Sequence, residues 1–148
     1  EHLTIRWEPH ALRQPVAEAG TIRIGGPEAG IAARLKRWLE AEALRLARAD
    51  MADYCERAGL APVPVALSRA QRRWGSCSDK CRIRINWRLV QAPDFVRRSV
   101  VAHEVAHLVH FDHSPAFHAL LARLYEGDVR SADRWLKAHG RSLYAAFG

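Results

Sequence analysis

The sequence predicts a single α+β domain, with short strands in its first two-thirds and helices in its last third. Apolar and polar residues alternate at 3–7, 21–24 and 82–87, which is typical of strands. Apolar residues recur at helical spacing over 31–57 and again through the last third. No repeat, low-complexity segment or Gly/Ser linker divides the chain, so we expect one domain over residues 1–148.

Residues 1–68 are predicted to form strands and one long helix. The segment GGPEAG ends the second strand, and an amphipathic helix then covers 31–57 before Gly59 ends it. The following APVPVALS is extended, because each proline disfavours helix in the residue before it.

Residues 69–90 are predicted to form a basic β-hairpin. Ser78, Asp79 and Lys80 supply turn chemistry before the strand at 82–87. The apolar face of that strand carries Ile83, Ile85 and Trp87, and the polar face carries Arg82, Arg84 and Asn86.

Residues 93–148 are predicted to hold three helices. Pro93 at the first position and Asp94 beside the positive end of the dipole begin a helix that runs to about residue 110. The Ser-Pro pair at 114–115 begins a second helix, and Gly140 ends a third.

The composition indicates a cytoplasmic protein without a membrane span. No apolar run approaches 18 residues, and the first twenty residues lack the apolar core of a secretion signal. The three cysteines, Cys55, Cys77 and Cys81, do not form a secreted disulfide pattern. Cys77 and Cys81 resemble half a zinc knuckle, but no second pair of cysteines completes it, and small apolar side chains flanking the hairpin are the alternative.

The net charge of +7 is concentrated in the basic stretch, residues 69–98. Eight arginines and Lys80 oppose Asp79 and Asp94 there, while charges cancel in the rest of the chain. Arginine forks bind phosphate and carboxylate groups, so a nucleic acid or other polyanion is a candidate partner. The alternative is a general arginine bias, because the chain has 20 arginines and 3 lysines.

The segment HEVAHLVHFDH, residues 103–113, indicates a metal site. His103 and His107 lie one helical turn apart, so their imidazoles can converge on one metal, for which zinc is the natural occupant. Glu104 lies about 60° further round the helix and is the candidate general base. The opposite face is expected to be buried and carries Val101, Val105, Leu108 and Val109.

Several residues are candidates for the third metal ligand. On a continuing helix His113 would lie about 9 Å beyond His107, so it reaches the metal only if the chain turns at residues 111–112. Glu126 on the following helix is the rival ligand. His110 shares the histidine face and is expected to contact substrate or support the ligands, and His118 is expected near the site without ligating.

Four segments carry a family resemblance: RWGSCS, INWRLVQAP, HEVAHLVHFDHSPAF and RWLKAHG. In this order and spacing, over about residues 72–140, they resemble the YgjP-like family of small zinc metallopeptidases, related to the SprT-like and WLM proteases. The resemblance implies a zincin-like fold, one zinc ion held by His103, His107 and His113, and Glu104 as base. Cys81 replaces the hairpin glycine of that family, and the N-terminal part matches weakly.

The function predicted is a zinc-dependent metallopeptidase that hydrolyses peptide bonds with zinc-activated water and Glu104 as general base. A peptide or protein substrate is expected to lie along an edge strand, for which residues 82–87 are the candidate. Asn86, Arg84 and His110 are the candidate substrate-binding residues. The candidates for stabilising the oxyanion are His110, His118, Tyr125 and Arg98.

Two alternative functions use the same residues. A metal-dependent nucleotide or phosphoanhydride hydrolase would combine the zinc site with the arginines, although the sequence has no phosphate-binding glycine loop. A DNA-associated protease would hold nucleic acid on the basic hairpin, as the SprT-like and WLM relatives suggest, without sequence-specific recognition.

Overall fold

The computed structural model describes residues 4–145 and 147, which form two three-stranded sheets and four α-helices. The α+β class is the one predicted. The strands are β1 (Thr4–Trp7), β2 (Val16–Glu18), β3 (Thr21–Ile24), β4 (Val65–Ser68), β5 (Gly75–Cys77) and β6 (Ile83–Asn86). The helices are α1 (Ile31–Arg57), α2 (Asp94–Val109), α3 (Pro115–Leu124) and α4 (Val129–His139), with 3-10 helices at Trp87–Gln91 and Gly140–Tyr144. Leu3, which the first predicted strand included, lies outside the described residues.

The first sheet packs on the N-terminal part of α1. Its strand order is β1-β3-β2, with β1 parallel and β2 antiparallel to β3. Ile22 and Ile24 are buried with Leu35 of α1, whereas Ile5 of β1 on the same face stays half exposed. The sequence did not indicate β2, because its three residues are exposed and too few to show an alternating pattern.

The second sheet packs against α2. Its order is β4-β6-β5, and Ile83 and Ile85 of β6 are buried in the main core with residues of α1 and α2. The hairpin of β5 and β6 is therefore confirmed, and Cys81 in its turn adopts the left-handed conformation with φ 57°. The prediction that residues 82–87 form an edge strand is wrong, because β4 pairs with β6 in parallel. The edge strand that contacts α2 is β5.

Helix α2 crosses α1 in the centre of the main core. Val101 and Val105 of α2 are fully buried against Met51 and Tyr54 of α1. Val109, which was predicted to be buried, is 45% exposed because it is the last residue of the helix. No helix among residues 4–145 and 147 combines the length and apolar character needed to span a membrane.

Ion pairs fix the first half of α2 to α1. Arg97 donates to Asp50 at 2.6 Å, and both side chains are almost fully buried. Arg98 also binds Asp50, at 2.9 Å, and forms further ion pairs with Asp53 and Glu126. The start of the helix is thus held in one position relative to its neighbours.

Candidate metal and active site

The turn after α2 brings a third histidine back to the helix. His110 has extended backbone and ends α2, and the Ser114 hydroxyl accepts from the N–H of Phe117 to begin α3. Nε2 of His113 consequently lies 3.0 Å from Nε2 of His107 and 3.3 Å from Nε2 of His103. The chain makes this turn without a glycine.

The three imidazoles fit a transition metal of the zinc type. Tetrahedral ligands about 2.0–2.1 Å from one zinc ion lie about 3.3 Å from each other, close to the nitrogen separations here. The donor set is all nitrogen, whereas calcium and magnesium prefer oxygen. Nδ1 of His107 donates to the carbonyl oxygen of His110 at 3.1 Å, which leaves the Nε2 lone pair of His107 free for a metal. His110 thus supports a candidate ligand through its backbone.

Phe117 supports all three imidazole rings. Its ring stacks on His107 with centroids 4.4 Å apart and meets His103 and His113 edge-on at 5.0 and 4.9 Å. The side chain of Phe117 is fully buried, so it supports the three imidazole rings from the interior of the protein. The sequence analysis did not identify Phe117. The available signal was its position three residues after Ser114, because the start of α3 at Ser114 determines the direction of the Phe117 side chain.

The pKa of His103 is lowered to about 4, first by burial and then by the neighbouring His107, His113 and His118. A histidine with so low a pKa is neutral at pH 7. The neutral imidazole is the form that ligates a metal.

Glu104 is buried beside the histidines without a partner. Its side chain makes no hydrogen bond or ion pair with residues 4–145 and 147, and the residue is 5% exposed. Burial raises the pKa of Glu104 to about 7. A carboxyl group with this pKa can take up and release a proton near neutral pH.

The edge strand β5 lies directly against Glu104. A Cβ atom at Gly75 would be 2.8 Å from Oε2 of Glu104 and 3.0 Å from Cγ1 of Val100. Gly75 is therefore the residue that allows the strand to pass the carboxylate. The sequence carried the glycine in RWGSCS but did not reveal this contact.

A cleft of about 860 Å³ opens beside His103 and Glu104. Its apolar lining includes Trp74, Val100, Leu121 and Leu136. The charged side chains of its lining besides Glu104 are Arg73, Arg130, Asp128 and Asp133, so positive and negative groups are balanced at its rim.

Asn86 was predicted to bind substrate, but the structure places its side chain in the interior. Its Nδ2 donates to the carbonyl oxygens of Ala70 and Arg73 at 3.0 and 2.9 Å, and its Oδ1 accepts from the N–H of Arg88. The residue is 1% exposed. Asn86 instead holds the loop that leads into β5. Arg84, in contrast, is exposed and pairs across the sheet with Ser76 of β5.

Two of the four oxyanion candidates have other partners. The hydroxyl of Tyr125 donates to the carbonyl oxygen of Phe95 at 2.6 Å, and Arg98 forms ion pairs with three carboxylates. His118 lines the cleft together with His103 and Glu104, and its ring is parallel to that of His113. His110 and His118 are the candidates that lie beside the histidine cluster.

The structure does not bring Glu126, the rival third ligand, to the histidines. Its carboxylate accepts from Tyr54 at 2.6 Å and from Arg57 at 3.0 Å, and it pairs with Arg98. Burial alone would raise the pKa of Glu126, but hydrogen bonds from Arg98 and Tyr54 outweigh it and lower the pKa to about 2. The candidate metal group contains His103, His107 and His113.

The basic stretch divides into two sets of side chains. Arg88 and Arg97 are buried, Arg98 is paired, and Arg69 binds Glu40 at 2.9 Å. The exposed remainder comprises Arg72, Arg73, Lys80, Arg82 and Arg84. A polyanionic partner stays a prediction that rests on this smaller set.

A family model described as YgjP-like, metallopeptidase domain matches residues 4–139. The chain belongs to the YgjP-like metallopeptidase family. The match begins at residue 4, so the N-terminal sheet and α1 are part of the YgjP-like domain, beyond the stretch of residues 72–140 that carries the sequence motifs. The small sheets and four helices are those of a minimal zincin-like metallopeptidase. Comparisons with curated proteins and with solved structures gave no match.

Proposed function

We propose that this YgjP-like protein is a zinc-dependent peptidase that binds one zinc ion through His103, His107 and His113. The observation that carries the proposal is the convergence of three Nε2 atoms, two pairs of them 3.0 and 3.3 Å apart, beside a buried glutamate. A buried carboxyl group without a partner is costly to the fold, and a role in the reaction explains its presence.

Zinc bound here would supply Lewis acidity, which polarises the scissile carbonyl and makes a water molecule acidic. Glu104 accepts the proton of that water and passes it to the leaving amine. Burial raises the pKa of Glu104 and so helps the carboxyl group to hold the transferred proton. Phe117 and the carbonyl oxygen of His110 hold the imidazoles in place during the reaction.

The substrate is an extended peptide that pairs with the outer edge of β5. Among the described strands β5 pairs only with β6, so its other edge is free to form main-chain hydrogen bonds. One substrate side chain enters the cleft, whose lining includes Val100, Leu121 and Leu136. Arg84 lies across the sheet from Ser76 and contacts acidic substrate side chains.

Replacing Glu104 with glutamine tests the mechanism. The variant Glu104→Gln keeps the imidazoles and should retain zinc, but its amide cannot accept the proton, so kcat/KM on a fluorogenic peptide library falls by about 10²–10⁴-fold. The matched control is Glu126→Gln, the same substitution at the glutamate outside the site, which keeps the wild-type rate. Full activity in Glu104→Gln would disprove the role of Glu104.

We also infer a cytoplasmic location from the cysteines. Cys55, Cys77 and Cys81 are free thiols, and Cys81 is exposed. A reducing compartment keeps such thiols unpaired. Mass spectrometry of the protein isolated from cells under alkylating conditions should find three alkylated cysteines per chain.

A further inference from the structure

We propose that a second pocket, between the N-terminal loop and α1, binds the phosphate group of a small phosphorylated ligand. The pocket has a volume of about 400 Å³ and shares no lining residue with the cleft beside Glu104. Its lining includes Arg13, Gln14, Arg34, Arg37 and Trp38. The binding site is therefore separate from the peptidase site.

Arg34 brings a buried positive charge to this pocket and has no negative partner in the described part of the chain. Its two Nη groups donate to the carbonyl oxygens of Gly25, Pro27 and Ala29 at 2.9, 2.6 and 3.2 Å. Its Nε is buried and has no hydrogen-bond partner among the described residues. Neutral carbonyl groups solvate the guanidinium but do not balance its charge, so a bound anion would stabilise this arrangement.

Arg13 and Arg37 add two further cations. Within residues 4–145 and 147, neither forms an ion pair and no acidic side chain lines the pocket. Arg45, further along the same helix, differs because it binds Glu42 at 2.8 Å. Three uncompensated guanidinium groups make the potential of the pocket positive.

The loop between β3 and α1 is shaped to bring these arginines together. Gly26 has φ 79°, and a Cβ atom there would be 2.7 Å from Cγ of Arg13. The absence of a side chain lets Arg13 lie against the loop whose carbonyl oxygens bind Arg34. Two of the three arginines are thus organised by one loop.

The chemistry of the pocket favours a phosphate monoester. The guanidinium fork matches phosphate oxygens in bidentate fashion, and several guanidinium groups suit a dianion better than a single carboxylate. The amide of Gln14 offers a further donor. The half-buried Trp38 supplies an apolar wall for the group attached to the phosphate.

Isothermal titration of the full chain with inorganic phosphate and with phenyl phosphate tests the proposal. We expect saturable binding of one ligand per chain, and Arg37→Gln should weaken it by about tenfold or more, since a charge-assisted hydrogen bond is lost. Tighter binding of phenyl phosphate than of inorganic phosphate assigns the pocket to a monoester, and equal binding assigns it to free phosphate.

Two controls distinguish this pocket from other phosphate sites. Arg48→Gln removes an exposed arginine of α1 outside the pocket and should leave binding unchanged. His113→Ala alters the candidate metal site, and phosphate binding should persist in it. No saturable binding, an equal loss in Arg48→Gln, or a loss in His113→Ala with none in Arg37→Gln would each overturn the proposal.

Discussion

The two halves of α2 both bury charged side chains, but only in the first half do the described residues provide partners for these charges. Arg97 and Arg98 are matched by Asp50 and by further carboxylates. In the second half, Glu104 is buried without a partner among the described residues. A buried polar group that is fully paired stabilises the fold, whereas an unpaired one marks the place where a ligand or a reaction completes the structure.

Two glutamates show the same contrast. Glu104 is buried and pairs with no cation of the described chain, and its pKa is raised to about 7. Glu126 is held by Arg57, Arg98 and Tyr54, and its pKa is lowered to about 2. Glu104 was a candidate base because it lies within the HExxH segment, and Glu126 was a candidate ligand because it follows that segment. Their surroundings in the structure separate the two glutamates.

The largest loss of stability should come from Asp50→Ala, which removes the carboxylate that pairs with the first half of α2. This change leaves Arg97 buried without its main partner, which costs about 3–5 kcal/mol of unfolding free energy. Urea denaturation of the variant measures the loss. Asp53→Ala is the control, because Asp53 is more exposed and its removal should cost about 1 kcal/mol or less. Equal losses in both variants would contradict the view that burial makes the Asp50 pair important.

Changes beside Glu104, in the second half of α2, should affect activity more than stability. In Gly75→Ala the new methyl group displaces the Glu104 carboxylate, the flexible end of the contact at 2.8 Å. We expect kcat/KM for peptide hydrolysis to fall by about 10–100-fold, since a shift near 1 Å misplaces the base. Urea denaturation should show a loss of unfolding free energy of about 1–3 kcal/mol at most, because the methyl group also meets Cγ1 of Val100 at 3.0 Å.

Ser76→Ala provides the comparison for Gly75→Ala. Ser76 is the next residue of β5 and alternates to the other face of the strand, so its replacement should preserve activity. An active Gly75→Ala enzyme would show that β5 does not constrain Glu104.

The smallest effect concerns the pH dependence of stability through Glu126. The folded-state pKa is about 2 and the reference value 4.5, so the stabilisation is complete above about pH 4.5 and is lost as the pH falls toward 2. The side chain is 43% exposed, which limits the contribution to about 1 kcal/mol or less. Wild type and Glu126→Gln should therefore differ in urea denaturation at pH 7 and converge near pH 2. A constant difference across this range would contradict the assigned pairing.

Local signals in the sequence predicted the helices and the ligand face of α2. Pro93 and Asp94 begin α2, Ser114 begins α3 through its hydroxyl, and the His103 to His107 spacing follows from one helical turn. These features depend on residues a few positions apart, which is why the sequence alone contains them.

Contacts between distant segments could not be predicted in the same way. The parallel pairing of β4 with β6 moved the edge of the sheet to β5. Hydrogen bonds from Asn86 to the loop at residues 70–73 removed it from the substrate-binding residues. Glu126, the rival ligand, instead pairs with Arg57 of α1 and Arg98 of α2. Each correction depends on partners that sequence spacing does not specify.

Metal analysis of the purified protein by mass spectrometry tests the central claim most directly, namely that the unpaired half of α2 completes a metal site with His113. The wild-type chain should contain about one zinc ion, and His113→Ala should lose it, since a tetrahedral site with three histidines loses a third of its protein ligands. The control His118→Ala, a neighbouring exposed histidine outside the cluster, should keep the metal. Wild-type zinc content in His113→Ala, or loss of zinc in Glu126→Gln in its place, would contradict the account.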